Sequence, residues 1–170
     1  IRYFPNVLAD INDHARGPGF FTIVAATCVM GSALVVIAGA ITTAKTLWAL
    51  GILLWIVVTY AFFTAVVIRE DKPSLEVGIN GAWLIATVAT QSIAVLGSSL
   101  ADHFGQQHAF VLFLSLCMFL LGCMLYLSII TLIFYRFTFV HLTTAQLTPP
   151  YWINMGAVAI TTLAGSTLIL

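Results

Sequence analysis

Five stretches of this chain, 20–41, 47–68, 80–100, 109–135 and 151–170, contain no Asp, Glu, Lys, Arg or His. Each runs for about 20 residues or more, the length an α-helix needs to cross the hydrocarbon core of a bilayer. In that medium every backbone N–H and C=O must be satisfied within the chain, which leaves helices or a closed barrel. A barrel strand is shorter and alternates in hydropathy, and these stretches do not. Residues are 61% hydrophobic and 7% charged, against about 25% charged in a soluble domain. The expectation is an all-α integral membrane domain, a single transmembrane unit over 1–170. A formal net charge of +0 gives no electrostatic basis for binding nucleic acid. The chain starts on Ile1 and stops in an apolar run, so it reads as a piece of a longer protein.

The five stretches are of two kinds. Residues 20–41, 80–100 and 151–170 are rich in Gly, Ala, Thr and Ser, while 47–68 and 109–135 carry Leu, Phe, Trp and Tyr. Small and hydroxyl residues at such density suit close helix contacts or a wet path, and bulky residues suit lipid. The alternation predicts parallel repeats of transmembrane helix hairpins, small-polar inner helices and bulky outer helices around a central pore. Arg69 before Trp83 and Arg136 before Trp152 mark the repeat.

Loops 1–19, 69–78 and 136–150 hold Arg2, Arg16, Arg69, Lys72 and Arg136, and the opposite loops hold Lys45. The positive-inside rule puts the first set in the cytoplasm. Arg2, Arg69, Lys72 and Arg136 then read as cytoplasmic anchors, or as a ring that concentrates anions. Between the spans, 12–16 reads as a short surface helix and 42–46 as a turn. Asp102, His103 and His108 read as a solvated loop, with no metal site. Phe20, Phe21, Trp83 and Trp152 read as interface aromatics. Pro149 and Pro150 suit a helix start. Cys28, Cys117 and Cys123 read as small buried residues.

Thr87, Gln91, Ala94 and Ser98 follow i, i+4, i+7, i+11, one helix face. Asn154, Val158, Thr161 and Gly165 repeat it on 151–170, and Thr27 with Gly31 matches on 20–41. One reading makes Thr27, Gly31, Thr87, Gln91, Ser98, Asn154, Thr161 and Gly165 the lining of a pore. Hydroxyls and amides there would offer an anion donors without trapping it. The other reading is close packing through small-xxx-small patterns. The spans carry no cation to hold an anion tightly and no carboxylate to relay protons. A membrane enzyme would need titratable or metal-binding groups facing one cavity, and the spans have none. No catalytic residue, cofactor or metal is expected. The function expected is channel-like or weakly coupled transport of small inorganic anions or C4-dicarboxylates. A proton-coupled dicarboxylate or sulfite exporter and a non-transporting membrane scaffold remain the alternatives.

The stretches GPGFFTIVAATCVMG, REDKP with GINGAWLIATVATQSIAVLG, and above all PPYWINMGAVAITTLAG resemble the tellurite-resistance/C4-dicarboxylate transporter family. That family includes plant slow-type anion channels and yeast malate and sulfite transporters. The resemblance implies ten helices in five hairpins around a central pore lined by the odd-numbered helices, and a homotrimer in the lipid bilayer. The five spans here would be the third to seventh helices. The family's gating phenylalanine lies on the ninth, so no residue of this chain is assigned as gate.

Overall fold

The computed structural model describes residues 4–143 and 146–169, the side chains of 4–6 and 8 excepted; Arg2 falls outside them. The helices are α1 (Phe4–Ile11), α2 (Phe21–Ala33), α3 (Ile41–Ile68), α4 (Leu75–Gly78), α5 (Leu84–Leu100), α6 (His108–Phe139) and α7 (Ile153–Ile169), with no strand among the described residues. Four runs are long and apolar enough to cross a membrane: Gly17–Ala38, Ile41–Ile68, Gly81–Phe139 and Pro149–Ile169. The third is folded on itself. Gly105, at φ 54 and ψ −116, reverses the chain between α5 and α6, a backbone region that only glycine enters without strain. Gln91 then meets Gly122 and Gly97 meets Ser115, so the two helices are antiparallel.

Each of α2, α5 and α7 begins with one tight 3₁₀ turn: Gly17–Phe20, Gly81–Trp83 and Pro149–Trp152. Prolines in the first and last of these lose no helical N–H bond, and Asn80 Oδ1 accepts from Ala82 N at 2.8 Å in the second. Phe21 meets Phe62, ring centroids 5.9 Å apart, and Cys28 meets Gly51, so α2 and α3 are antiparallel. Phe137 meets Tyr151 at 4.9 Å and Phe119 meets Gly165, so α6 and α7 are too. Trp48 and Trp55 reach Ile93 and Thr90, an antiparallel pairing of α3 with α5. Helices α2, α5 and α7 therefore run one way, and α3 and α6 the other.

Several local expectations are corrected. Helix α1 ends at Ile11, and 12–16 is not helical. Asp13 Oδ1 accepts from the N–H of Ala15 at 2.7 Å and of Arg16 at 3.0 Å, a side-chain turn that competes with helix. Helix α2 loosens into a π turn at Leu34–Ala38 and stops at Gly39, φ 60, so the turn is Gly39–Ala40 and 42–46 lies inside α3. Phe21 is core rather than interface, 1% exposed. Trp48 and Phe62, on the helix with a lipid-facing composition, are buried. Cys28 is buried but Cys117 is exposed.

The bundle has two distinct ends. At one, Arg69 Nη1 donates to Asn12 O at 2.8 Å, Trp83 Nε1 donates to His14 O at 3.0 Å, and Arg136 Nη1 donates to Ile79 O at 2.7 Å. Lys72 at this end is exposed. At the other end Lys45 Nζ donates to His103 O and sits 4.4 Å from the centre of the Phe104 ring, with Asp102 and His108 paired at 3.2 Å.

His14 makes the first end pH-sensitive. Burial, then the Arg69 charge, hold its imidazole below its ordinary pKa; Lys72 adds to the effect and Asp13 opposes it. Its Nδ1 is buried without a partner. The unfolded chain takes up this proton near pH 6.5, before the folded one does. Stability from neutral His14 is thus complete above about pH 6.5 and lost as pH falls toward the folded pKa. The thermal midpoint is expected to drop between pH 7 and pH 5 more for the wild type than for His14→Gln; parallel drops would contradict this.

Candidate functional site

Helix α5 is the centre of the bundle, packed against α2, α3, α6 and α7. Thr87, Thr90 and Gln91 are 0% exposed and Ser92 is 2% exposed. A polar side chain at such a place needs a partner, since an unmet one costs about 1–3 kcal/mol. Thr90 Oγ1 has two, accepting from Trp55 Nε1 at 2.8 Å and donating to Ala86 O at 2.8 Å. Trp48 Nε1 donates to Ile93 O at 3.1 Å. These indole bonds explain why the bulky helix α3 turns its tryptophans inward: a Trp N–H has nothing to bind among lipid tails.

The face carrying Thr87, Gln91, Ala94 and Ser98 is turned to α6 and α7. Gln91 Nε2 lies 3.3 Å from Phe119 O and 3.8 Å from Cys123 Sγ, over Gly122. Ser98 Oγ lies 2.9 Å from Thr167 Oγ1 of α7. Thr87 Oγ1 and Gln91 Oε1 are buried without a partner. On α7, Asn154 Oδ1 accepts from Tyr126 of α6 at 3.0 Å, Thr161 Oγ1 bonds its own Ala157 O at 2.7 Å, and Gly165 makes room for Phe119. On α2, Thr27 Oγ1 donates to Ile23 O at 2.7 Å, and Gly31 receives Leu96 of α5 and Leu47 of α3. Gln91 and Asn154 thus meet α6, Gly31 meets α3 and α5, and Ser98 meets α7.

The side chains of a different stripe of α5 make no hydrogen bond to another helix among the described residues, and the stripe is exposed only at its Ser99 end. Ile85, Val88, Ser92, Val95 and Ser99 follow i, i+3, i+7, i+10, i+14, one face of the helix. Ile85 and Val88 are half-buried and Ser99 is exposed, with Ser92 and Val95 deeper between them. By helical spacing this stripe falls between Leu96, which meets α2, and Ser98, which meets α7. Ser92 Oγ donates to Val88 O at 2.6 Å and Ser99 Oγ to Val95 O at 2.8 Å. The exposed Ser99 hydroxyl hydrogen can swing from its helix carbonyl to a passing acceptor at small cost. The stripe is apolar with two hydroxyl rungs and no charge. The seven-residue spacing of Ser92 and Ser99 is the sequence signal that places the two on one helix face.

The family model for voltage-dependent anion channels matches residues 1–169. Two relatives from Methanocaldococcus jannaschii, both described as uncharacterized transporters, are 24% and 26% identical over 93% of this chain. An uncharacterized membrane protein of Mycobacterium tuberculosis is 47% identical over 45 residues, 26% of this chain and 23% of its own length. The chain spans 46% and 45% of the two transporter relatives, a little under half of each. No solved structure matches.

Proposed function

This chain belongs to the voltage-dependent anion channel family, and on that premise we propose that α5, flanked by α2 and α7, forms part of the wall of a transmembrane anion path. The observation that carries the reading is the stripe of Ile85, Val88, Ser92, Val95 and Ser99, whose two hydroxyls bond only their own helix and which is exposed at Ser99, half-buried at Ile85 and Val88 and buried at Ser92 and Val95. An uncharged stripe with two weak donors suits a permeant anion, because conduction needs binding that is easily released. In this reading the chain crosses the membrane five times, α5 and α6 counting separately, with Arg69, Lys72 and Arg136 on the cytoplasmic side. In this reading Gly31, Gln91, Ser98, Asn154 and Gly165 seat α2, α5 and α7 on their neighbours, Thr87 is buried inside the wall, and Thr27 and Thr161, whose hydroxyls bond their own helices, are candidates for its lining. The cargo is a small inorganic anion or a C4-dicarboxylate, moved passively or with weak coupling.

The test is current through the full-length protein in planar bilayers, under a chloride, nitrate or malate gradient at symmetric pH and then with a pH step. The expected reversal potential follows the anion and ignores the pH step. Flux that needs the pH step would replace the passive reading with proton coupling. Absence of flux for all three anions would overturn anion transport for these substrates.

A further inference from the structure

We propose that the cavity beside Arg136, at the end of the bundle where α5 begins, is a binding site for a small anion. Arg136 is 4% exposed. Its Nη1 donates to Ile79 O at 2.7 Å and to the Tyr151 hydroxyl, and the Tyr151 ring lies 5.9 Å from the guanidinium carbon. Its Nε is buried with no partner. Among the described residues the ion pairs are Arg16 with Asp10 and His108 with Asp102, so no described carboxylate pairs with Arg136. A buried cation among neutral partners is strongly disfavoured unless a counter-charge is supplied.

The cavity has a volume of about 210 Å³ and is lined by Glu76, Val77, Asn80, Arg136, Gln146 and Thr148. Its polar groups are set to donate. Asn80 Oδ1 is occupied by Ala82 N at 2.8 Å and Gln146 Oε1 by Thr143 N at 3.0 Å. Each amide oxygen thus already accepts one backbone N–H, and each NH₂ end is a donor with no protein acceptor among the described contacts. Thr148 adds a hydroxyl. Glu76 is the one acidic group of the lining; it is exposed and opposes an anion. The guanidinium fork supplies the planar, charge-assisted contact that a halide, nitrate or carboxylate group accepts. For its physiological role the site rests on the anion-transport reading: it would collect the ion at the mouth of the path, about one helix length from Ser99.

The full-length protein in detergent is titrated with bromide, gluconate holding the ionic strength constant, and binding is read from the rise in thermal midpoint. The wild type is expected to saturate. Arg136→Lys keeps the charge but not the fork, and is expected to bind at least about tenfold more weakly. Glu76→Gln removes the opposing charge and is expected to bind about threefold more tightly. Thr148→Val, also at an exposed position, is expected to bind more weakly. These last two keep the test decisive if Arg136→Lys fails to fold. Titrations of Glu76→Gln and Thr148→Val that coincide with the wild type overturn the site. Saturable binding with the expected shifts but no anion flux leaves the site standing and removes the transport reading. Flux with titrations insensitive to these changes does the reverse.

Discussion

Gly97→Ala is expected to destabilise the protein by about 3–5 kcal/mol, as an overpacking cost with the loss of a buried hydrogen bond added to it. Gly97 is where three helices meet. A Cβ there would run into Ser115 Oγ of α6 and would lie 2.8 Å from Nε1 and 3.1 Å from Cε2 of Trp48 in α3. Neither neighbour has room to retreat. Trp48 is 7% exposed and held by its bond to Ile93 O, and Ser115 is 0% exposed and bonded to Val111 O. Moving the indole strands its N–H in an apolar interior, and moving α6 disturbs the Gln91 contacts. The check is the thermal midpoint of purified protein, with Gly97→Ala/Ser115→Gly as partner. The single variant is expected to melt far below the wild type and the double variant to recover part of the loss. A Gly97→Ala protein that melts with the wild type would mean that α3, α5 and α6 do not cross as described.

The helices were legible because their ends are marked by charge, Pro and Gly, as at Arg69–Pro73 and Gly17–Gly19. The direction in which side chains face was less so. Composition makes α3 read as lipid-facing, yet Trp48 and Trp55 point at α5, because their N–H groups require acceptors that lipid does not supply. Lys45 reads as a loop residue but sits in the first turns of α3, where its long stem carries the ammonium to His103 O. Hydrogen bonding accounts for the polar residues of α5 in the same way. The most polar face, Thr87–Gln91–Ser98, was the natural candidate to meet water. In the structure Gln91 meets the backbone of α6, while Ser92 is buried on its own helix carbonyl and Ser99 is the exposed residue of α5. Polarity in a membrane helix reports a need for partners, and a neighbouring helix answers it as well as a wet path does. A buried Arg136 bonded to Ile79 O was beyond sequence reasoning, which read arginines at span ends as anchors.

The central claim, that anions pass along the Ile85–Ser99 stripe, is tested most directly by placing a charge on it. Ser99→Cys in the full-length protein, which keeps the exposed position and the small size, is treated with a methanethiosulfonate carrying a sulfonate. The unsubstituted protein and Thr87→Cys are treated in parallel, and labelling is followed by mass. The added sulfonate is expected to cut anion flux at least about tenfold through like-charge repulsion in a confined, poorly screened path, and a trimethylammonium tag of similar size to cut it far less. Thr87→Cys, packed inside the wall at 0% exposure, is expected to stay unlabelled. Complete labelling of Ser99→Cys by both tags with unchanged flux would place the anion path elsewhere and contradict the account.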